Sequence, residues 1–495
     1  MGLVTITIRP GPLGGRTRIP ASKSHTIRAL LIATLARGRS RLRAPLDSLD
    51  TAACVRACRA LGARVEEVRS DGVLSEIIVE GTGGALGIPG DVIDVGNSGT
   101  TLYLGIGIAA LAGGLTVFTG DEQIRRRSAA PLLSALAQLG ATALSTRGNG
   151  CAPIVTGGGL RCGPVAIESP TSQYLASLLL AAPLAAPAAE PAPAAGTPAG
   201  APDTGAATDI EVLLLNERPY VEMTLWWLDS QGIRYERAGC ERFRIPGGQS
   251  YQAFDTEIPA DFSSATFLAC AAAITGSTIT LEGLDMSDPQ GDKAVLGILA
   301  EMGCTVEEIG GAVTVRGPQG AFDAEDGFSR AALSGGTFDL NAIPDALPAL
   351  AATACFAREP VELSNVPQAR AKETDRVAVM AAELGRMGAR VEELPDGLRV
   401  VPRAGSRGNA PATGARPGAR GSAGGTPSTL TLPPLTGARV HGHGDHRVVM
   451  ALAVAGLGAA GQTTVDTAEA AAVTFPGFFE VLRSLGASVA PEDAG

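Results

Sequence analysis

Gly96-Asn97-Ser98-Gly99-Thr100 and Leu139-Gly140-Ala141 bracket a unit that this chain repeats six times. The first string is a small polar knot. Ser, Thr, Asn and Asp accept hydrogen bonds from the free N–H groups of a first helical turn, and an apolar run follows from Leu102 to Leu111. The second string is a Gly-containing turn of the kind that ends an amphipathic helix. Ala21-Ser22-Lys23-Ser24 opens the first unit and Gly62-Ala63 closes it. Pro170-Thr171-Ser172-Gln173 pairs with Gln231-Gly232-Ile233, and Asp261-Phe262-Ser263-Ser264 with Met302-Gly303-Cys304. Ile343-Pro344-Asp345-Ala346 pairs with Met387-Gly388-Ala389, and Gly444-Asp445-His446-Arg447 with Leu485-Gly486-Ala487.

The closing glycines stand at 62, 140, 232, 303, 388 and 486, at intervals of 78, 92, 71, 85 and 98 residues. The two longest intervals hold compositionally biased segments, Leu184–Thr208 and Ala404–Ser428. Neither carries enough apolar surface to order itself, so both read as mobile insertions. Without them the period is roughly 70–80 residues, too long for a solenoid unit. It suits a small α/β unit of two helices and several strands. A chain of 495 residues exceeds one core. Six units predict two domains of three: residues 21–257, and residues 1–20 with 258–495. The strand Val4–Ile8 is expected to pair in the second domain.

The bulk properties exclude several classes. A net charge of −10 gives no general affinity for nucleic acid or anionic membrane. Met1–Pro10 lacks the basic and apolar regions of a signal peptide. The uncharged runs Ser128–Thr146 and Ser169–Ala189 are broken by Pro, Gly or polar residues and make poor membrane spans. Eight cysteines without a C-x-x-C pair read as reduced, buried thiols in a cytoplasm.

Against this acidic background the cations gather beside the knots: Lys23 and Arg28, Arg125 to Arg127, Lys372 with Arg376, and Arg447. Arg370-Ala371-Lys372-Glu373-Thr374-Asp375-Arg376 has five charges in seven residues, where the whole chain is 18% charged. It is expected at a helix start, with Lys372 and Arg376 four apart on one face and something anionic between them. Converging helix N-termini make an anion site, and guanidinium groups bind carboxylate and phosphate bidentately. A ligand with several negative charges, shared between two domains, is expected. Asp345 and Glu373 suit a base and an acid for proton transfer on it.

The motifs resemble the 5-enolpyruvylshikimate-3-phosphate synthases of the enolpyruvyl transferase family. They are Ser22-Lys23-Ser24 with Arg28, Gly96 to Thr100, Thr119-Gly120-Asp121 with Arg127, Ser172-Gln173, and Pro219-Tyr220. Ile343 to Ala346, the specific Lys372-Glu373-Thr374-Asp375-Arg376, Asp445-His446-Arg447 and Phe475-Pro476 complete the set, in the family's order and over nearly the whole chain. The resemblance implies two domains of three pseudo-symmetric βαβαββ repeats, an inside-out α/β barrel (α+β) with the ligand cleft between the domains. It implies that Lys23, Asn97, Gly99, Thr100, Arg127, Gln173, Arg376 and Arg447 hold phosphoenolpyruvate. Ser24, Arg28, Thr171, Ser172, Gln173, Tyr220, Asp345, Gln368 and Lys372 would hold shikimate 3-phosphate. Glu373 would protonate C3, Asp345 would accept the hydroxyl proton, and Lys23 would complete the catalytic set. No metal or organic cofactor is implied, and a monomer acting on small molecules is expected.

The sequence departs from the family pattern in places. Thr171 stands where Ser is usual and keeps the hydroxyl; Gln368 stands for a common Asn. Glu217 precedes Arg218-Pro219-Tyr220 where many members carry Ser, and Val473 stands where some carry Lys. A carboxylate at 217 would repel a substrate phosphate unless Arg218 neutralises it, and neither residue is counted in the site. Three alternatives compete. His441-Gly442-His443-Gly444-Asp445-His446 spells a binuclear metallohydrolase signature, but no further His follows it. A UDP-sugar enolpyruvyl transferase would carry Cys or Asp on the loop around Asp121–Ser128, where Arg stands instead. A catalytically silent scaffold would not need Lys23, Asp345, Glu373 and Arg447 together.

Overall fold

The computed structural model describes residues 4–187, 206–403 and 433–492. Its helices are α1 (Lys23–Leu35), α2 (Leu49–Ala60), α3 (Gly99–Ala109), α4 (Ala130–Gln138), α5 (Ser172–Ala181) and α6 (Arg218–Ser230). They continue with α7 (Phe262–Thr275), α8 (Ala294–Glu301), α9 (Leu347–Ala354), α10 (Arg376–Arg386), α11 (His446–Gly458) and α12 (Phe478–Ser484). Each repeat supplies one odd-numbered helix, then one even-numbered helix.

Six four-stranded sheets accompany them, all built alike. In the second repeat, Ile93–Asp94 runs parallel to Leu115–Thr119 through the α3 crossover, and Thr142–Ser145 and Ile154–Gly157 add antiparallel strands. The spatial order is first, second, fourth, third, and the other five sheets keep it. Three sheets borrow a strand from elsewhere in the chain. Asp255–Glu257 pairs with Arg39–Arg43, and Gly14–Arg18 with Thr278–Glu282. Ile6–Arg9 sits between Thr463–Val465 and Ser488–Pro491, so the N-terminal strand does complete the last repeat.

The predicted turns are where the glycines place them. Gly62, Gly140, Gly232, Gly303, Gly388 and Gly486 all have φ between 64° and 102°, a region costly for any residue with a Cβ. The odd-numbered helices differ from the even ones in burial. All residues of α3, α7 and α11 are buried, as expected of helices apolar all round. Small residues let them approach: a Cβ on Gly107 of α3 would lie 2.3 Å from Ser177 Oγ of α5. The even-numbered helices cover the outside with one apolar face.

Two separate hydrophobic cores result. One runs from Ile27 to Ile258; the other takes Ile6 to Ile19 and then Ala260 to Val489. Among the described residues the chain passes between them twice, at neighbouring points. Ser22 N–H donates to Pro259 O at 2.7 Å and Asp261 N–H to Pro20 O at 2.9 Å.

Two expectations need correction. Arg370 to Arg376 is not one helix start: Pro367–Ala371 is a 3₁₀ turn, and α10 begins only at Arg376. Asp375 is the N-cap, its side chain accepting from Ala378 N–H, so Lys372 lies in a non-helical link and shares no helical face with Arg376. The insertion expected from Leu184 to Thr208 is shorter at both ends. Ala182–Leu184 is a 3₁₀ turn, and strand Ala207–Leu215 pairs with Pro164–Ser169. Residues 188–205 of that segment, and all of Ala404–Ser428, lie outside the described residues.

Gly303 and Gly297 separate backbone strain from space, because a Cβ at either meets nothing within 4 Å. Gly303 has φ of 102°, whereas Gly297 lies within α8. Gly303→Ala is expected to lower the unfolding free energy by about 1–2 kcal/mol, and Gly297→Ala to raise it by about 0.5–1 kcal/mol. Urea unfolding reads both, and equal effects would contradict a turn held by its left-handed glycine.

Candidate active site

Helix N-termini from both cores open onto one cavity of about 610 Å³. Lys23 reaches it from α1, Gly99 and Thr100 from α3, Thr171 and Gln173 from α5, and Arg127 from the loop before α4. Opposite them stand Asp345, Gln368, Lys372, Glu373, Arg376 and Arg447. The knots that cap the buried helices are therefore also the walls of the site.

Arg376 is the centre of its charge network, with a side chain only 1% exposed. Its Nε lies 2.9 Å from Asp445 Oδ2, its Nη1 2.8 Å from Asp345 Oδ1, and its Nη2 2.5 Å from Glu373 Oε2. Thr374 Oγ1 donates to Asp445 at 3.0 Å. Arg447 Nη2 lies 2.8 Å from Asp345 Oδ2, and its Nη1 donates to Ser263 Oγ at 2.6 Å. From the other core, Arg127 Nη2 comes within 3.3 Å of Glu373 Oε1. Lys23 Nζ stands 3.6 Å from Asp50 Oδ2.

These pairings set the protonation states. Burial pushes Asp345 up, but Arg447, Lys372 and Arg376 outweigh it and hold the carboxyl far below the usual range. Burial also acts on Glu373, and Arg127 and Arg376 prevail there, holding it well below the ordinary glutamate value. Burial would lower Lys372, but Glu217 and Asp345 keep its ammonium above the ordinary value. Some donors and acceptors in the wall make no hydrogen bond among the described residues: Arg127 Nε, Gln173 Oε1, Gln368 Oε1, and Arg127 Nη2, which has only its ion pair with Glu373. Gln368 uses its Nε2 on Asn341 O at 3.0 Å.

Five of the expected residues do not line the cavity. Ser24 sits in the first turn of α1, where its carbonyl accepts from Arg28 Nη1 at 3.1 Å. Arg28 is buried one turn further on and also donates to Thr224 Oγ1 and Tyr220 O. With only neutral acceptors, burial pushes it down to about 10. Asn97 Nδ2 bonds Gln123 Oε1 at 2.8 Å and Asp121 Oδ2 at 2.5 Å, fixing the loop that carries Arg127. Tyr220 donates its hydroxyl to Asp292 Oδ2 at 2.6 Å. Burial and the neighbouring Asp345 push Asp292 up to about 7. Ser172 lies behind the wall and is engaged by Glu217.

Glu217 is the main correction. It is 2% exposed and reaches the site. Its Oε2 accepts from Thr171 Oγ1 at 3.0 Å, Ser172 N–H at 3.0 Å and Ser172 Oγ at 2.8 Å, and its Oε1 pairs with Lys372 Nζ. Arg218, the neutraliser expected from adjacency, is exposed. Asp50, Tyr103 and Tyr174 were also missed. Asp50 looks like an acidic residue in a first helical turn, and it is one. Tyr103 follows Gly99 by one turn and Tyr174 follows Ser172 by two residues, so their distance from the knots was the available signal. Their rings meet edge-on at 5.1 Å in the cavity wall.

The histidine string does not gather on one point, although the rings of His441 and His443 lie 4.2 Å apart. His441 Nδ1 bonds Asp466, His443 Nε2 bonds Glu383, and His446 is buried with both ring nitrogens unpartnered. Burial pushes His446 down to about 3, so its ring is neutral.

A family model described as EPSP synthase (3-phosphoshikimate 1-carboxyvinyltransferase) matches residues 8–192 and 199–482. The 3-phosphoshikimate 1-carboxyvinyltransferase of Acetivibrio thermocellus is 46% identical over 484 residues, covering 98% of this chain and 99% of that one. Its namesake in Ruminiclostridium cellulolyticum is 43% identical, with the same coverage. The solved EPSP synthase of Acinetobacter baumannii superposes with a TM-score of 0.73 at 25% identity, covering 99% of this chain and 100% of that one. A cavity walled by helix N-termini, a motif set that spans both cores and relatives matched end to end have one common explanation: the chain belongs to the EPSP synthase family.

Proposed function

We propose that the chain transfers the enolpyruvyl group of phosphoenolpyruvate to the 5-hydroxyl of shikimate 3-phosphate and releases phosphate. The observation that carries this reading is the convergence of Lys23, Arg127, Lys372, Arg376 and Arg447 on one cavity, with Asp345 and Glu373 pinned among them. Such a cavity suits two polyanions and the proton transfers between them.

Lys23, Arg127, Gln173, Arg376 and Arg447 hold phosphoenolpyruvate, with Gly99 and Thr100 at the α3 N-terminus. Gly99 leaves the room: a Cβ there would lie 2.7 Å from Arg127 Nη1. Thr171, Ser172 and Lys372 hold the phosphate of shikimate 3-phosphate, and Asp345 and Gln368 its ring. Arg28, Ser24, Asn97 and Tyr220 act one layer back by bracing these groups. The 5-hydroxyl oxygen bonds to C2 of the enolpyruvate, Asp345 takes its proton, and Glu373 protonates C3. In the second step C3 returns a proton to Glu373, the C2–O bond to phosphate breaks, and the departing phosphate carries away the proton that Asp345 took from the hydroxyl. Lys23 and the arginines stabilise the departing phosphate.

Glu373 is held as a carboxylate by Arg127 and Arg376, so it cannot donate until something else occupies those guanidiniums. The carboxylate and phosphate of phosphoenolpyruvate do so. Losing both cations while staying buried raises Glu373 into the range of a useful acid.

The two hydrophobic cores support the two domains of this reading, 21–257 and 1–20 with 258–495, although Ile258 packs in the first core, one residue past that boundary. Both walls of the cavity come from one chain, which supports a monomer as the working unit. The net charge of −10 argues against nucleic-acid partners, and no helix among the described residues is long and apolar enough to cross a membrane. Eight buried cysteines without disulfides support a reducing cytoplasm.

Glu373→Gln is expected to lower kcat about 100-fold or more while leaving the KM for shikimate 3-phosphate nearly unchanged. Steady-state assay of shikimate-3-phosphate-dependent phosphate release checks it, and wild-type turnover would refute the acid role. Proton uptake is the second expectation. Above the second phosphate pKa of about 6, binding of both substrates should draw a proton onto the wild-type enzyme and none onto Glu373→Gln. Calorimetry in two buffers of different ionisation enthalpy measures the difference. Equal uptake by the two proteins would place the proton elsewhere.

A further inference from the structure

The subsite assigned above to the acceptor's phosphate already contains an anion. Four contacts define it. Thr171 Oγ1, Ser172 N–H and Ser172 Oγ all donate to Glu217 Oε2, and Lys372 Nζ pairs with Oε1. A hydroxyl pair, a helix N-terminal N–H and an ammonium are what a phosphate monoester would use. Here one carboxylate uses all of them. It also bridges the two cores, because Thr171 and Ser172 belong to one side and Lys372 to the other.

Glu217 is held to this position by more than its carboxylate. Its backbone is left-handed, with φ of 60° and ψ of 41°, a conformation that costs a residue with a side chain roughly 1–2 kcal/mol. Its N–H donates to Asn341 O across the two cores at 3.2 Å, and Asn341 Nδ2 donates to the neighbouring Asn216 Oδ1 at 2.9 Å. Tyr220 N–H closes a turn on Glu217 O at 3.0 Å. The start of α6 is thus built to present this side chain to the phosphate subsite.

We infer that Glu217 is an internal occupant of the acceptor-phosphate subsite, which the phosphate of shikimate 3-phosphate must displace, and that it sets the enzyme's affinity and selectivity for that phosphate. The inference rests on the assignment of Thr171, Ser172 and Lys372 to the phosphate. The carboxylate and a phosphate dianion cannot both take Lys372 and the Ser172 N–H, and two anions side by side in a buried site repel. Binding is therefore an exchange. The phosphate gains the donors, and Glu217 moves to another partner or to solvent. In return the empty enzyme keeps Lys372 paired, where an unpaired buried ammonium would be costly.

This arrangement predicts opposite signs for stability and affinity, which a purely structural glutamate would not give. Glu217→Ser should melt at a lower temperature than wild type when empty, because Lys372 loses its partner. The same variant should show a KM for shikimate 3-phosphate lower by about tenfold or more, with the KM for phosphoenolpyruvate little changed. Inorganic phosphate should raise its melting temperature more than that of wild type. Glu217→Gln keeps the size and removes the charge, so its KM should fall in the same direction by a smaller factor. It also guards against a serine variant that fails to fold. Lys372→Ala is the control for the underlying assignment and should raise the KM for shikimate 3-phosphate. If Lys372→Ala leaves that KM unchanged, the assignment of the subsite fails. If it raises the KM while both Glu217 variants leave it unchanged or raise it, the assignment stands and the displaced-occupant inference is overturned.

Discussion

One buried guanidinium holds the second half of this molecule in its working arrangement. Arg376 begins α10 and reaches Asp345 before α9, Glu373 in the preceding link and Asp445 at the cap of α11. Burying a cation is unfavourable unless its hydrogen-bonding positions are filled, and here three carboxylates fill them. The three helix starts are thereby fixed relative to one another. Asp445 serves two purposes, since its Oδ1 also accepts from Arg447 N–H at 2.9 Å and so caps α11. Removing one partner of such a buried cluster costs about 3–5 kcal/mol, because the other charges remain without water. The same contacts that orient Asp345 and Glu373 therefore secure the fold around them.

Internal carboxylates already accompany each cation of the cavity. Lys23 has Asp50, Arg127 has Glu373, Arg447 has Asp345, Lys372 has Glu217, and Arg376 has three. An anionic substrate entering this cavity meets cations that are already paired. It binds by exchanging with the internal carboxylates, and each exchange changes the proton affinity of the carboxylate left behind. In the proposed scheme Glu373 turns acid for this reason, although Arg127 and Arg376 hold it ionised. Glu217 stands outside that chemistry. Its exchange with a phosphate governs binding alone, because no reacting atom of the proposed scheme lies at that subsite.

Much of this was legible in the sequence, and the parts that were not share a cause. The six closing glycines and the capping residues Ser22, Ser98, Asp261 and Asp445 act locally, so their spacing revealed the repeat before any contact was known. Motif order then identified most of the residues lining the cavity. The failures came from treating neighbours in sequence as neighbours in space. Lys372 and Arg376 are four apart, but Asp375 takes the cap and starts the helix after Lys372. Arg218 adjoins Glu217 in the chain, yet the partner is Lys372, 155 residues away. Arg28 was expected at the acceptor phosphate from the family motif, and its guanidinium donates to three neutral oxygens between α1 and α6. No local pattern distinguishes an arginine facing a cavity from one facing a neighbouring helix.

The two cores are distinct apolar clusters, and much of what joins them is polar. Glu217 with Lys372, Arg127 with Glu373, Tyr220 with Asp292, His25 with Asp288 at 3.3 Å, and Asn216 with Asn341 all cross from one to the other. Among the described residues the chain itself crosses only at Pro20–Ser22 and Pro259–Asp261, and Lys23 follows the first crossing directly. Polar interfaces of this kind hold their partners less firmly than apolar burial does, because water can replace each contact at small cost. The first two of these pairs are also among those that substrate anions exchange with. Substrates that bridge Lys372 and Thr171, or Arg127 and Arg376, therefore replace protein contacts between the cores with their own. Binding energy is then spent on aligning the two halves as well as on occupying the cavity, and the catalytic groups are brought to register by the ligands they act upon.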